Sequence, residues 1–597
     1  MKKIIKIILL LIILPINLCA LTEAPIDITD KSIEEIQNYV DKGIINYETI
    51  TRIFLERIKE YDDEYNTIIT INENAIEEAK NLDKEYKKNG RSSLIYGIPI
   101  LVKDNIDVFS MPTTAGTKAL LDSFPKKNAK VVENLIKNGA IILGKTNMSE
   151  FSMSVSNSFS SFGYVKNAYN KEFTSYGSSG GSATAVSLGF SVLSLGTDTN
   201  SSIRVPASGA GLYGLRPSTG TLSREGVIKY DSLRDTVGII SKNISDSKIV
   251  LDVMEGGNGE KYLEKKDKKY KIGVLTQILD GDNTLIGNAF QKTDDDIKEL
   301  FKNNLNYLLE EEIELVMIDD FFTTEIVNYE NKTTNGWTLC NEFETYIQNT
   351  ESDIKTFKEL VNNNKKVYSL TGYLEECGRE DNLEVEKKII EKYQKYVKEI
   401  MEEYEVDALV YPTVKNKIYK YNKTGAIVSS YIISPATGLP SITYNMGYID
   451  GIPYSMEFLS FNEMTLFNIL DKLDNNYEKT KEVKNLYEIP IFVNELVNYY
   501  LNIDLKASYK YNKDALKLYN DTIYDVKMFF NNYNEIDDKD SRAKEILIKL
   551  QTAYNNLKNA KSNRNIYFVI VTITVFVIMI FLIKNMKYVL KKRKVKK

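Results

Sequence analysis

Two serine-rich stretches decide how this chain folds and what it does: YGSSGGSATA (176–185) and LGTDTNSSIRVPASG (195–209). The first contains GSSGG (177–181), which formally fits the G-x-S-x-G turn of α/β hydrolases. That turn needs a histidine as general base, and the 597 residues contain none. The same absence excludes His-ligated catalytic zinc. A nucleophilic serine in this chain therefore needs a different base.

A lysine can act as the base when burial lowers the pKa of its amine far enough to leave it neutral near neutral pH. Lys103 is a candidate because it follows the apolar run GIPILV (97–102) and precedes Asp104 and Asn105. The run predicts a buried strand, which places Lys103 at a strand end, where functional side chains often project. A solvated or salt-bridged lysine is the alternative at this position.

The composition describes a folded globular chain, with 43% hydrophobic and 27% charged residues. Its 77 Lys and Arg against 82 Asp and Glu give a formal net charge of -5, without a basic field, so we expect no nucleic-acid partner. A phosphate-binding loop is disfavoured because neither a GK[ST] lysine nor a G-x-G-x-x-G spacing accompanies the glycines. We expect neither a metal nor an organic cofactor.

Helical and strand patterns alternate along the chain. Residues 27–93 are helical, 94–107 predict a strand, and 130–147 predict a helix followed by a strand. A charged, helix-rich segment at 294–405 is expected to supply packing and a cover on the substrate side, before a strand at 407–414. This alternation favours an α/β fold with a mixed, largely buried sheet covered by helices on both faces.

Several motifs, in order, resemble the core of the amidase signature family. They are GIPILVKDNID (97–107), MPTTAGTKAL (111–120), GAIILGKTNMSEF (139–151), GSSGGSATA (177–185), LGTDTNSSIRVPAS (195–208) and GLYGLRPSTGTLSREGV (211–227). The blocks NEFETYI (341–347) and PATGLPSITYNMGYIDGIPYSMEFL (435–459) are most similar to the peptide-amidase and general-amidase branch. The resemblance implies the amidase signature fold over residues 27–490 and hydrolysis of carboxamide C–N bonds.

The same resemblance implies a Ser-Ser-Lys triad. Ser202 is the nucleophile, Ser178 the relay serine, usually held by a cis peptide bond, and Lys103 the base. Neutral Lys103 takes a proton from Ser178, which takes one from Ser202. Ser179 is expected to help orient the lysine.

An oxyanion hole is implied at the backbone N–H groups of Thr199, Asn200 and Ser201, together with that of the nucleophile. The family pattern is close to D-T-G-G-S, whereas this chain has Asn200 and Ser201 where glycines are usual, and Tyr176 replaces a glycine before the relay serine. Glycine permits a positive φ, and serine adopts one less readily. A catalytically impaired protein that serves as a surface binding protein is therefore the alternative function.

Four further residues are assigned supporting positions. Asp198 and Arg204 flank the nucleophile and are expected to pair structurally rather than take part in the chemistry. Ser152 and Met153 are expected, from the resemblance, to line the acyl pocket.

Both ends of the chain carry patterns typical of targeting. Residues 1–20 predict a secretory signal peptide, with an uncleaved anchor or a lipid anchor at Cys19 as alternatives. The apolar run 566–583 predicts a transmembrane helix, and the basic tail 584–597 predicts a cytoplasmic C-terminus. Residues 491–565 are predicted to be a helical stalk, with disorder as the alternative.

These patterns predict a single-pass membrane protein with an extracytoplasmic amidase domain and a small-molecule or peptide amide as substrate. An amidotransferase component that acts on aminoacyl-tRNA is disfavoured, because a secreted chain does not meet tRNA. Cys340 and Cys377 either form one disulfide bond or stay as two core thiols. The oligomeric state is not predicted.

Overall fold

The structure is a computed structural model. It describes residues 26–264, 268–281, 292–326, 329, 338–378, 383–423, 433–473, 491–503, 513–531, 536 and 538–559. The predicted signal peptide (1–20), transmembrane helix (566–583) and basic tail (584–597) lie outside these residues. Within the described ranges, no helix has both the length and the apolar character needed to span a bilayer.

The strands of the described residues are numbered in chain order. They are β1 (Ile68–Ile71), β2 (Pro99–Lys103), β3 (Phe124–Pro125), β4 (Ile141–Thr146), β5 (Phe159–Ser160), β6 (Gly163–Tyr164), β7 (Leu193–Asp198), β8 (Tyr213–Arg216), β9 (Thr236–Ser241), β10 (Lys271–Leu275), β11 (Glu314–Ile318), β12 (Thr350–Glu351), β13 (Ala408–Pro412), β14 (Ser441–Ile449) and β15 (Ile452–Leu459).

The α-helices are numbered in the same way. They are α1 (Ile33–Asp41), α2 (Tyr47–Tyr65), α3 (Ala75–Asn89), α4 (Lys130–Lys137), α5 (Gly180–Ser187), α6 (Arg204–Gly209), α7 (Ile244–Glu255), α8 (Thr276–Asp280), α9 (Asp295–Glu310), α10 (Leu339–Ile347), α11 (Phe357–Asn362), α12 (Leu383–Glu403), α13 (Ile433–Thr437), α14 (Glu463–Leu473), α15 (Ile491–Leu501), α16 (Lys513–Asn531) and α17 (Lys539–Asn559).

An eleven-stranded sheet forms the centre of the larger of two compact units, which comprises Thr29–Ile36 and Arg57–Val483. The strand order is β1-β4-β2-β7-β9-β8-β14-β15-β13-β10-β11. Strand β2 pairs in parallel with β4 and β7, and β10 pairs in parallel with β11 and β13, while β14 and β15 form an antiparallel hairpin. The prediction of a mixed sheet is therefore confirmed.

The strands that carry the serine and lysine motifs are buried along their whole length. Every residue of β2, β4 and β7 is buried, as expected for parallel strands with both faces covered. The apolar residues of these strands lie mainly in their first halves, and the polar residues Lys103, Lys145, Thr146, Thr197 and Asp198 lie at their ends. Because β2 and β7 run in parallel, they end at the same edge of the sheet.

A segment that we call the cover, residues 338–378, packs against the body of the larger unit. It contains α10, α11 and a 3-10 turn at Thr371–Glu376. Its core side chains lie against Phe151 and Ile228 of the body, and the rings of Phe151 and Phe343 meet edge to face at 6.3 Å. Strand β12 also pairs with β3.

The two cysteines of the cover form a disulfide bond. Cys340 lies in α10 and is buried, whereas Cys377 follows the 3-10 turn and is exposed. Of the two arrangements that the sequence left open, the structure has the bonded one. The bond joins the first helix of the cover to its last turn.

The smaller unit takes in Gln37–Glu56 and the C-terminal helices. Helices α15 and α16 both pack on α17. Residues 491–559 thus contain three helices within their described parts. Their role as a stalk stays a prediction.

A buried ion pair holds the loop that follows β2. Nζ of Lys145, in β4, lies 3.3 Å from Oδ1 of Asp104, and both side chains are fully buried. Lys145 also donates to Oγ1 of Thr113 at 3.1 Å. Oδ2 of Asp104 accepts hydrogen bonds from the backbone N–H groups of Thr114 at 3.2 Å and Gly116 at 3.3 Å. The pair therefore ties the loop at 112–117 to two buried strands.

We expect Lys145→Met to lower the free energy of unfolding by about 3–5 kcal/mol, because it leaves a buried carboxylate without its cation. Burial already raises the pKa of Asp104, so loss of the lysine favours the protonated acid further. Urea denaturation measures the change. The control is the exposed Lys302→Met, for which we expect less than about 0.5 kcal/mol. Equal losses in the two variants would contradict a structural role for the ion pair.

Candidate active site

Two neighbouring strands bring the candidate residues to one edge of the sheet. Strand β2 ends at Lys103, and β7 ends at Asp198, immediately before the loop that contains Ser202. The parallel register pairs Val102 with Leu195, so Lys103 lies beside the last residues of β7. Functional groups of α/β sheets collect at this position, because the ends of parallel strands face a common crevice.

The amine of Lys103 is fully buried and lies against Ser178, the predicted relay serine. Nζ donates to Oγ of Ser178 at 2.6 Å and to Oγ1 of Thr197 at 2.8 Å. Burial lowers the pKa of Lys103 to about 7, although the carboxylates of Asp198 and Asp235 act in the opposite direction. A substantial fraction of the amine is therefore neutral near pH 7 and able to accept a proton.

Thr197 is a site residue that the sequence analysis missed. Its hydroxyl oxygen accepts from Lys103 and also from Nδ2 of Asn105 at 3.1 Å. The Asn105 amide donates in addition to the carbonyl oxygen of Ile228 at 3.2 Å. Thr197 therefore positions the lysine amine. Thr197 is recognised only from the parallel register of β2 and β7, which places it beside Lys103. The sequence pattern alone does not give this register.

The Gly177–Ser178 peptide bond is cis, as the resemblance implies. Ser178 is fully buried, and its carbonyl oxygen accepts from the N–H of Ser149 at 3.0 Å. A Cβ on Gly177 would lie 2.4 Å from the carbonyl oxygens of both Asn157 and Ser154, so only glycine fits. The relay serine is thus fixed by close backbone packing.

Ser179 contacts the nucleophile loop through its backbone. Its N–H donates to the carbonyl oxygen of Ser202 at 3.1 Å, and its hydroxyl donates to the carbonyl oxygen of Thr197 at 3.2 Å. That carbonyl also accepts from Nζ of Lys103 at 3.4 Å. Ser179 and Lys103 therefore share one acceptor at the end of β7, and the orienting role of Ser179 stays a prediction. Ser202 itself is buried, with 2% of its surface exposed.

The loop of the predicted oxyanion hole does not need glycine. Neither Asn200 nor Ser201 adopts a positive φ. Tyr176, in contrast, has a φ of 57°, in the left-handed region that bulky residues seldom adopt. Neither Asn200 nor Ser201 therefore has to adopt a left-handed backbone conformation, and the role of this loop as an oxyanion hole stays a prediction.

A network of buried charged side chains forms hydrogen bonds with the loop at 199–202 and with the end of β7. Nε of Arg204 donates to Oδ2 of Asp198 at 3.2 Å, and its two terminal nitrogens bind Glu457 and the carbonyl oxygen of Asn200. Arg216 donates to the carbonyl oxygen of Asp198 at 2.8 Å. Burial alone would raise the pKa of Asp198, but the two arginines outweigh it and hold that pKa below its ordinary value. Asp198 and Arg204 thus pair as expected.

Glu457 was not predicted from the sequence, although a signal was present. Glu457 is an acidic residue within the otherwise uncharged strand β15, all of which is buried. A buried carboxylate needs a cationic partner, and Arg204 provides it.

The predicted acyl-pocket residues lie on a short 3-10 turn next to the relay serine. Phe151 and Ser152 both adopt positive φ, 52° and 58°, and such strained positions concentrate at functional sites. Oγ of Ser152 is buried and has no hydrogen-bond partner among the described residues. Met153 packs on the core of the cover. Their role in substrate binding stays a prediction.

A second carboxylate, Asp235, holds the nucleophile loop. Its Oδ1 accepts from the Thr199 hydroxyl at 2.5 Å, and its Oδ2 accepts from the N–H groups of Tyr230 at 2.7 Å and Asp231 at 3.2 Å. Burial, aided by the charge of Asp231, raises the pKa of Asp235 to about 6.

Within the described part of the chain, no group of three acidic or cysteine side chains has the arrangement of a metal site.

Comparisons with a family model and with known proteins identify the same family. The family model described as Amidase matches residues 49–466. A glutamyl-tRNA(Gln) amidotransferase subunit from Clostridium botulinum is 31% identical over 492 residues, covering 76% of this chain and 98% of that protein.

Solved structures agree. An amidase family protein from Bacillus anthracis has a TM-score of 0.62 and 27% identity, covering 76% of this chain and 95% of that one. The native peptide amidase of Stenotrophomonas maltophilia has a TM-score of 0.64 and 22% identity, covering 76% of this chain and 99% of that one. At this lower identity the likeness concerns the fold.

We expect Ser201→Gly to lower the free energy of unfolding by about 0.4–1 kcal/mol, since the backbone there needs no glycine and the substitution loosens the unfolded chain. The matched variant is Gly177→Ala, whose Cβ meets backbone oxygens and should cost at least about 1–3 kcal/mol. Chemical denaturation compares the two. A gain in stability for Ser201→Gly would show that the serine is strained.

Lys103→Met tests the buried amine without reference to catalysis. Lysine in an unfolded chain titrates near 10.4, whereas burial lowers the pKa of Lys103 in the folded chain to about 7. Between these values the unfolded chain binds the proton and the folded chain does not. The free energy of unfolding of the wild type should therefore rise with pH, by up to about 1.4 kcal/mol per pH unit relative to the variant. Denaturation curves across this range measure it, and parallel pH dependences would mean that folded Lys103 stays charged.

Proposed function

Because the chain belongs to the amidase family and is thus a hydrolase acting on C–N bonds, we propose that it cleaves carboxamides through an acyl-enzyme on Ser202. The observation that carries the proposal is the buried amine of Lys103, which donates to Oγ of Ser178 at 2.6 Å. A neutral amine at this place supplies the base that a chain without histidine otherwise lacks.

The first half of the reaction forms the acyl-enzyme. Lys103 accepts the Ser178 proton as Ser178 accepts the Ser202 proton, and Oγ of Ser202 attacks the carbonyl carbon. The backbone N–H groups of the loop at 199–202 stabilise the oxyanion, a contribution typically worth a factor of about a hundred to a thousand in rate. The relay then runs backwards and protonates the leaving nitrogen as the C–N bond breaks.

Water completes the cycle. The same relay takes a proton from the water that attacks the acyl carbon, and returns it to Ser202 as the ester bond breaks. The products are a carboxylic acid and an amine or ammonia. The substrate that we propose is a small-molecule or peptide amide whose acyl group lies near Ser152 and Met153.

An amidotransferase component is the second candidate, favoured by the 98% coverage of the Clostridium botulinum relative. Release of ammonia from simple amides by the chain alone would support the amidase. Activity confined to glutamine and dependent on an aminoacyl-tRNA would support the amidotransferase. The catalytically impaired binding protein stays an alternative: Asn200 and Ser201 adopt no positive φ, whereas Tyr176 does.

We also propose that the amidase domain faces the outside of the membrane, with the C-terminus in the cytoplasm. The apolar run at 566–583 and the basic tail at 584–597 support this orientation. The leader-like sequence at 1–20 supports export. The bond between Cys340 and Cys377 agrees with both, because disulfides persist in oxidising compartments.

We expect a fluorophosphonate probe to label the wild-type chain at Ser202, and Lys103→Met and Ser178→Ala to slow labelling by about 100- to 10,000-fold, since each interrupts proton transfer. Labelling rates are read by mass spectrometry, with circular dichroism to verify folding. Lys302→Met is the matched control and should label at the wild-type rate. Unchanged labelling of Lys103→Met, together with loss of labelling in Ser202→Ala, would require another base.

Protease treatment of intact cells tests the orientation. A tag at the C-terminus should survive on a short fragment, while the amidase domain is degraded, because only the tail at 584–597 is expected inside. Immunoblots against the tag and the domain report the result. Protection of the whole amidase domain in intact cells, followed by its digestion after lysis, would place it in the cytoplasm.

A further inference from the structure

A run of hydrogen bonds connects the cover to the nucleophile loop. The hydroxyl groups of Tyr373 and Tyr230 lie 2.8 Å apart, and their rings meet edge to face at 6.1 Å. The N–H of Tyr230 donates to Oδ2 of Asp235 at 2.7 Å. Oδ1 of the same carboxylate accepts from the hydroxyl of Thr199 at 2.5 Å. Thr199 belongs to the loop at 199–202, whose N–H groups are proposed to stabilise the oxyanion.

The loop at 230–235 is held in place at several points. Oδ1 of Asp231 accepts from the N–H of Leu233 at 2.9 Å, and Arg224 donates to the carbonyl oxygen of Asp235 at 3.3 Å. The N–H of Ser232 donates to Oγ1 of Thr338, at the start of the cover, at 2.9 Å. This loop is therefore in direct contact with the start of the cover.

The disulfide bond restrains the end of this hydrogen-bond series that lies in the cover, at Tyr373. Cys377 comes four residues after Tyr373 and directly follows the 3-10 turn that contains it, and it is bonded to Cys340 in α10. Helix α10 is anchored in turn by Cys340 and Phe343, both buried in the core of the cover. The bond thus holds the turn that carries Tyr373 close to a buried helix. The exposed Cys377 is accessible to a thiol reagent.

We propose that Tyr373, Tyr230 and Asp235 are positioning residues that hold the nucleophile loop through Thr199, with the Cys340–Cys377 bond fixing their far end. The inference rests on the proposed function of Ser202. A dithiol reductant opens the bond: it gives two electrons and two protons to the cysteines and becomes a disulfide itself. The turn that carries Tyr373 is then released, and the loop that forms the oxyanion hole loses a restraint.

The experiment measures the rate at which a fluorophosphonate probe labels Ser202 in the full-length chain. Oxidised protein is compared with protein treated with dithiothreitol, for the wild type and for Tyr373→Phe. We expect reduction to slow labelling of the wild type by about tenfold, because small displacements of catalytic groups cost large factors in rate. Oxidised Tyr373→Phe should show the same loss, with no further loss on reduction.

Tyr396→Phe is the matched control. It removes a hydroxyl group that donates a hydrogen bond of similar length, 2.7 Å, to the carbonyl oxygen of Phe321, outside the series from Tyr373 to Thr199. It should label at the wild-type rate and keep its sensitivity to reduction. Asp235→Asn supplies a pH readout. The carboxylate of Asp235 raises the pKa of Lys103, so its removal should move the acid limb of the labelling rate to lower pH.

The outcomes separate this inference from the proposed function. Equal labelling of oxidised and reduced wild type, or a Tyr373→Phe variant that behaves as the wild type, would overturn the positioning role and leave Ser202 as nucleophile. Absence of labelling in the oxidised wild type would reject the proposed function itself. If reduction disturbs the fold, Tyr373→Phe decides, because it keeps the disulfide: slower labelling supports the inference and unchanged labelling overturns it.

Discussion

The amine of Lys103 is kept out of water, and the rest of the site is arranged around that constraint. Desolvation lowers its pKa to about 7, although the negative charges of Asp198 and Asp235 act to raise it. The charge of Asp198 is largely balanced by Arg204 and Arg216, which leaves the nearer hydroxyl groups of Ser178 and Thr197 to define the position of the amine. A charged network and a neutral base can therefore share one buried region.

Parallel pairing explains why residues from distant parts of the chain meet. Strands β2 and β7 end at one edge, so Lys103, after an apolar run, lies beside the loop that carries Ser202, the proposed nucleophile. The cover packs on the body through Phe151, and its own ends are joined by a disulfide. Backbone rigidity comes from the sheet, and the cover buries the apolar side chains around Phe151.

Local patterns predicted the strand that ends at Lys103 and the mixed sheet, since both depend on apolar runs. They did not find Thr199 with Asp235, or Arg204 with Glu457, because these partners are 36 and 253 residues apart and meet only through the sheet topology. The backbone of Ser201 shows a further limit. Residue type indicates which φ values are strained, but tertiary packing decides which value the position adopts.

Ser202, rather than another serine of the two serine-rich stretches at 176–185 and 195–209, is the covalent nucleophile that we propose. Peptide mapping of the intact chain after reaction with a fluorophosphonate locates the adduct directly. We expect a single phosphonyl group on Ser202. An adduct on Ser178 or Ser179, with Ser202 unmodified, would contradict it.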